Sequence, residues 1–134
     1  MAEHKREKLE KLLTAVELEL MNVVWDIGSG SVKDIQAALP EGRDLAYTSV
    51  ATMAKILEQK GALVSEKTEK AHVYSPRVSR PEYEKMTLRH LTQNVFRGNP
   101  ASVVMRLLDE SNLNKKEVET IRGMLEKAEK GARR

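Results

Sequence analysis

At 134 residues the chain is long enough for one domain with a real core or for two small lobes, and its formal net charge of +3 is too small to name a partner. It holds no cysteine, which removes disulfides, thiolate nucleophiles and every cysteine-based metal site. No apolar run approaches the roughly 20 residues needed to cross a bilayer, and the start MAEHKREKLEK is charged and lacks the apolar centre of a secretory signal, so a cytoplasmic protein without a membrane partner is expected.

Helix starts are legible along the chain. Thr14-Ala-Val-Glu17, Ser31-Val-Lys-Asp34, Ser79-Arg-Pro-Glu82 and Asn114-Lys-Lys-Glu117 each place a capping side chain three positions ahead of an acid. Asn99-Pro100 adds a fifth start, with proline at the first helical position. These signals predict helices near 15–27, 32–39, 46–60, 80–97, 100–110 and 115–129. Residues 1–13 either extend the first helix or fray, and the cap at Thr14 favours a break. Trp25, the only tryptophan, follows Leu18 and Met21 at helical spacing and reads as a core anchor.

Residues 31–61 carry the most information. They read as a short helix, a turn and a second helix that begins near Tyr47 and stops at Gly61, where a positive φ is tolerated. Val50, Met53, Ala54 and Leu57 form one apolar stripe of that second helix. The opposite face carries Thr48, Ser49, Ala51, Thr52, Lys55 and Gln59. A helix made only for solvent usually carries long Glu and Lys side chains there. Short hydroxyls and a methyl can instead approach a DNA major groove closely and offer hydrogen bonds and thymine-methyl contacts.

Leu63 to Pro76 is different in kind: it alternates loosely and is rich in Val, Thr, Ser and Tyr. It predicts two strands, 63–67 and 72–76, joined by a polar tip at Thr68–Ala71. A hairpin directly after the third helix of a three-helix unit makes a winged helix, with a tip able to reach an adjacent DNA backbone or minor groove. Residues 1–78 are expected to form this unit. Its expected core is Val16, Leu20, Val23, Val24, Ile27, Ile35, Leu39, Val50, Met53, Leu57, Leu63 and Val73.

Residues 79–134 are expected to form a second, all-helical lobe. Tyr83, Met86, Leu91, Val95, Phe96, Val103, Val104, Leu107, Leu108, Leu113, Val118, Ile121, Met124 and Leu125 are too many apolar side chains for three short helices to hide. A second copy related by a two-fold axis would cover them, and the alternative is packing back on the winged unit. The predicted interface is Tyr83, Met86, Leu91, Val95, Val103, Val104, Leu107, Leu108, Ile121 and Leu125. The fold expected is therefore mainly α within the α+β class: a winged helix-turn-helix with a two-stranded wing, plus a C-terminal helical dimerisation lobe.

Charge is unevenly spread. Residues 1–42 hold five cations against eight acids, whereas residues 43–80 hold seven cations against four acids. Positive charge is thus concentrated around the candidate reading helix, as phosphate contacts require. No catalytic constellation is present. His4, His72 and His90 are scattered, the chain lacks HExxH, phosphate-loop and GxSxG motifs, and the pairs Glu17/Glu19 and Glu117/Glu119 are two apart and read as solvated charges. An enzyme is disfavoured and no cofactor is implied. Two functions remain: an operator-binding repressor, and a protein-interaction adaptor whose winged helix does not read DNA. The small polar face of residues 48–55 favours the first.

Several of these segments, taken together, carry a family resemblance. Leu13-Thr-Ala-Val-Glu-Leu-Glu-Leu-Met-Asn-Val-Val-Trp25, Ser31-Val-Lys-Asp-Ile35, Ala46-Tyr-Thr-Ser-Val-Ala-Thr52, Leu57-Glu-Gln-Lys-Gly61 and Tyr74-Ser-Pro76 resemble, in order and spacing, the BlaI/MecI/CopY family of bacterial penicillinase and copper-homeostasis repressors. The resemblance covers roughly residues 12–128. It implies a winged-helix repressor that binds dyad operators in double-stranded DNA as a homodimer held by its C-terminal helices. By position it implies base contacts from Thr48, Ser49, Ala51, Thr52 and Lys55, and backbone contacts from Lys67, Thr68 and Lys70. Arg43 and Tyr47, ahead of and at the start of the reading helix, complete the candidate DNA-contacting set. Copper-responsive members end in a cysteine cluster, which this chain lacks. β-Lactam-responsive members are inactivated by a protease at an Asn-Phe bond, and the aligned position here is Arg106-Leu107. A regulatory protease acting within residues 98–110 is the partner this implies.

Overall fold

Every helix start marked by the sequence carries its cap in the computed structural model, which describes Leu9 and residues 12–132. The backbone N–H of Thr14 donates to Glu17 Oε1 at 2.8 Å, and Glu17 N–H donates back to Thr14 Oγ1 at 3.2 Å. The same reciprocal pairs close Ser31 with Asp34, Ser79 with Glu82 and Asn114 with Glu117. Asn99 accepts from Ser102 N–H ahead of Pro100. Such boxes satisfy N–H groups that the helix itself leaves unpaired.

The helices are α1 (Ala15–Ile27), α2 (Val32–Ala37), α3 (Tyr47–Lys60), α4 (Arg80–Asn94), α5 (Pro100–Glu110) and α6 (Lys115–Ala132), with strands β1 (Leu63–Lys67) and β2 (His72–Pro76) between α3 and α4. The strands match the expected spans. Helices α2 and α4 stop short of them, α4 giving way to an irregular turn with Arg97 and Gly98 at positive φ. Residues 1–8, 10 and 11, where an extended or frayed first helix was in question, lie outside the described residues. Leu9 and Leu13 are buried.

The strands pair antiparallel in register Leu63 with Pro76 through Lys67 with His72. Gly30 adds a bridge to the free edge of β2, exchanging both backbone hydrogen bonds with Tyr74 at 2.9 and 2.8 Å. A Cβ at Gly30 would lie 2.8 Å from Asp34 Cβ, so glycine is what lets the α1–α2 turn close on the strand.

The chain divides into two compact units, Met1–Thr87 and Leu88–Arg134. The division falls inside α4, whereas a boundary after residue 78 was expected. Tyr83 and Met86 account for the difference. Expected at a subunit interface, Tyr83 is 7% exposed and both side chains pack on the core of the first unit.

That core is built on Leu20, Met21, Val24, Ile35, Val50, Ala54, Leu57 and Leu63, all at or near zero exposure. Two expected core members are outside it: Val16 is 41% and Ile27 is 37% exposed. Leu39, Met53 and Val73 are half-buried. Helix α1 carries two overlapping rows at helical spacing, the apolar 16-20-23-27 and 17-20-21-24, which is apolar apart from Glu17. The fold buries the second, which places Glu17 in the interior.

Glu17 was expected to be a solvated charge, and it is instead buried and paired. Lys60 at the end of α3 donates to its Oε1 at 2.7 Å. Burial pushes this carboxyl up, but the Lys60 ammonium and the Thr14 N–H and hydroxyl outweigh it and hold its pKa below the ordinary 4.5. Because the folded pKa is depressed, the stability contributed by Glu17 is present above the ordinary carboxylate range and is lost as pH falls through the folded value. Glu17→Gln is expected to cost about 1–3 kcal/mol at pH 7 and to flatten the acid limb of the stability curve below pH 4.5. Urea melts at pH 7 and pH 3 check this, and an equal deficit at both would show that the ion pair is not the cause.

In the second unit Val103 is buried, Phe96, Leu113 and Ile121 are half-buried, and Leu88, Leu91, Val95, Val104, Met105, Leu107, Leu108, Val118, Met124 and Leu125 are exposed. Leu108, Leu113, Val118, Ile121, Arg122 and Leu125 line one shallow apolar groove between α5 and α6.

Candidate nucleic-acid interface

The candidate interface is built on α3. Its inner face is fixed by burial of Val50, Ala54 and Leu57, and that burial decides what points outward. Thr48, Ser49, Thr52, Lys55 and Gln59 are exposed on the opposite side. Ala51 is half-buried and packs toward the core, so of the expected base-contacting face it is the member least available to a ligand. The helix ends in Gly61 at φ 90°, and its first turn has no side-chain cap, since Ala46 occupies the capping position. Uncapped N–H groups at a helix start, with the positive end of the helix dipole behind them, suit an approaching anion. Tyr47, in that first turn, is half exposed.

Helix α2 precedes α3 as the first arm of a helix-turn-helix. Gln36 on α2 donates to the Leu45 carbonyl at 2.9 Å, which holds the connecting turn in place. Arg43 lies in this turn, but its guanidinium is engaged: Nε and a terminal nitrogen donate to the two carboxylate oxygens of Glu19 on α1 at 3.0 and 3.2 Å. Glu19, expected to be solvated, therefore has a partner. Both side chains are exposed, and such a pair is worth at most about 1 kcal/mol. Arg43 can exchange it for a phosphate at little cost.

The hairpin stands next to α3. The Ser65 hydroxyl donates to Glu58 on α3 at 2.5 Å, and the buried Tyr74 lies under the same region. Burial pushes the Tyr74 phenol up, helped by the charge of Glu58 and by Tyr47, so the group stays protonated. At the tip Thr68 has a structural duty. Its hydroxyl donates to the Ala71 carbonyl at 2.8 Å and accepts from the N–H groups of Lys70 and Ala71, closing a tight turn. Thr68 therefore shapes the tip, and the flanking Lys67 and Lys70 are the side chains free to meet a phosphate. Both are exposed, and neither they nor Lys55 forms an ion pair among the described residues.

Sequence reasoning placed Glu17 in the Thr14 cap but missed its pairing with Lys60, and it missed the pairing of Glu19 with Arg43 and the role of Thr68. Only Thr68, a threonine opening a four-residue tip, left a local signal. Among the described residues no group of three or more His, Asp or Glu side chains could hold a metal ion, and no helix is long and apolar enough to cross a membrane.

The chain is similar in sequence to known proteins. The chain is 24% identical over 115 residues to the methicillin resistance regulatory protein MecI of Mammaliicoccus sciuri, covering 86% of this chain and 94% of that protein. It is 25% identical over 114 residues to the penicillinase repressor of Bacillus licheniformis, covering 85% and 89% of the two chains. The solution structure of B. licheniformis BlaI, a monomeric form in complex with the blaP half-operator, is similar at 28% identity with a TM-score of 0.47, over 57% of this chain and 92% of that one. The sequence profile of the penicillinase repressor family matches residues 13–127. With nearly the whole chain inside that match, from the residue ahead of the Thr14 cap to the later turns of α6, the protein belongs to the penicillinase repressor family, a family of transcriptional repressors.

Proposed function

We propose that the protein represses transcription by binding a dyad operator as a homodimer, with α3 of each copy in a major groove and the hairpin tip on the flanking backbone. The observation that carries this is the outward face of α3. Thr48, Ser49, Thr52 and Lys55 are exposed on the side opposite a fully buried stripe, so a short polar surface is presented on a rigidly held helix. The exposed apolar groove of α5 and α6 supports pairing of two copies, since a contiguous apolar surface of this kind seeks a cover. Selection of sites from random duplex DNA tests the reading. Recovery of two inverted half-sites at a constant spacing is expected, and recovery of no preferred sequence would overturn it in favour of a protein-binding winged helix.

Thr52 is assigned to a base edge. Thr52→Ala should cost roughly 1–3 kcal/mol against the selected operator and leave binding to random DNA nearly unchanged. Equal losses on both would return Thr52 to the exposed surface. Lys67 and Lys70 are assigned to phosphates. Neutralising either should weaken binding to all sequences and reduce the slope of log affinity against log salt by about one unit, whereas an unchanged slope would show that the tip stays in solvent.

Release is assigned to proteolysis within residues 98–110. Arg106 and Leu107 are both exposed on α5, and a cut there would separate the winged unit from α6. Two half-sites would then lose their linked, high effective concentration. The intact chain should disappear from cells as target genes are induced, and induction with the full-length chain persisting would rule this out.

A further inference from the structure

We infer that Glu19 is a positioning residue that fixes the Arg43 guanidinium as a phosphate ligand of set location, an inference that rests on the DNA-reading role given to α3 above. Arg43 stands shortly ahead of Ala46, whose uncapped helix start opens α3. Its backbone is held in place. The Arg43 N–H donates to the Pro40 carbonyl at 3.0 Å, Gly42 beside it takes a φ of 85°, and Gln36 donates to the Leu45 carbonyl at 2.9 Å. Its side chain is held as well, because Nε and Nη2 donate to the two Glu19 oxygens at 3.0 and 3.2 Å. The lysines of the candidate interface differ: Lys55, Lys67 and Lys70 form no ion pair among the described residues.

Glu19 occupies only the edge of the guanidinium formed by Nε and Nη2. Nη1 and the outer hydrogen of Nη2 make a second fork, which has no partner among the described residues. A planar guanidinium can hold a carboxylate on one edge and a phosphate on another, which a point-like ammonium cannot do. Arg43 can therefore reach a phosphate without letting go of Glu19.

Keeping the pair has a consequence for discrimination. Phosphates are alike in every duplex, so a freely moving cation helps all sequences about equally. A fixed cation helps most where α3, seated on its preferred bases, brings a phosphate to that place. The Arg43 and Glu19 side chains are 40% and 47% exposed, where an ion pair contributes little to folding. Its effect is on binding, since the freedom of a long side chain is lost before DNA arrives instead of during association. Exchange of Glu19 for a phosphate would act in the opposite direction. The pair would then be broken in the operator complex, and removing Glu19 would strengthen that complex.

The experiment uses the full chain, the operator that the wild type selects and a random duplex of the same length, compared by fluorescence anisotropy at one salt concentration. Glu19→Gln should bind the operator about three- to tenfold more weakly, the factor for immobilising one long side chain, while binding to the random duplex holds or rises. Glu19→Asp should restore part of the operator preference. Arg43→Lys keeps the charge but lacks the two forks. It should lower the preference by a similar factor, and combining it with Glu19→Gln should add little. An unchanged or stronger operator affinity in Glu19→Gln would overturn the inference, the stronger one in favour of exchange. So would equal losses on both duplexes, or a combined loss equal to the product of the two single losses. Failure of the wild type to select any sequence would instead overturn the reading of α3 itself, before any variant is measured.

Discussion

Leu108→Glu is expected to yield monomers and to weaken operator binding by about 10²- to 10⁴-fold, the factor that linking two half-sites supplies. Leu108 is 49% exposed within its own chain and lines the apolar groove with Leu113, Val118, Ile121 and Leu125. A glutamate there disturbs little in the isolated subunit, because the position already faces out. At an apolar interface between two copies, an unpaired carboxylate must lose its water without gaining a partner, at a cost of several kcal/mol. Sedimentation at low micromolar concentration should show half the wild-type mass, with an unchanged far-ultraviolet spectrum. Binding to a single half-site should survive, since α3 is untouched. A variant that still sediments as a dimer would place the interface on another surface.

Leu57→Ala is expected to cost about 2–5 kcal/mol and to lower the melting temperature of the winged unit by at least about 10 °C. Leu57 is fully buried on α3 with Leu20, Met21, Val24, Ile35 and Leu63 in the same cluster. Its removal takes the transfer energy of the side chain and leaves a cavity that packed neighbours fill only in part. Val16→Ala is the matched control. Val16 belongs to an apolar row of α1 at helical spacing, yet it is 41% exposed, so a change within about 0.5 kcal/mol is expected. Thermal unfolding of the two variants side by side checks both. A similar loss at each would mean that Val16 is as closely packed as Leu57.

That pair of variants marks where local pattern ends. Cap signals, the Gly61 stop, the strand spans 63–67 and 72–76 and the buried stripe of α3 all arise from residues within a few positions of each other, and they are readable in the chain alone. A hydroxyl three residues ahead of an acid makes its cap whatever surrounds it, and a helix with a single apolar stripe has only one face to bury. The outward set of Thr48, Ser49, Thr52 and Lys55 follows from that stripe, so most of the candidate site was legible as well. What tertiary structure decided are the choices among locally equal options. Helix α1 buries Leu20, Met21 and Val24 rather than Val16 and Ile27, and Glu17, carried inward on that face, finds its partner in Lys60, 43 residues away. Arg43 has the charge of a phosphate ligand, and Glu19 on α1 engages it. Tyr83 fits a subunit interface by pattern, but Leu13, 70 residues away, donates to its hydroxyl and holds it in the winged unit. Each of these outcomes depends on a partner that only folding brings within reach, and short-range periodicity carries no record of such a partner.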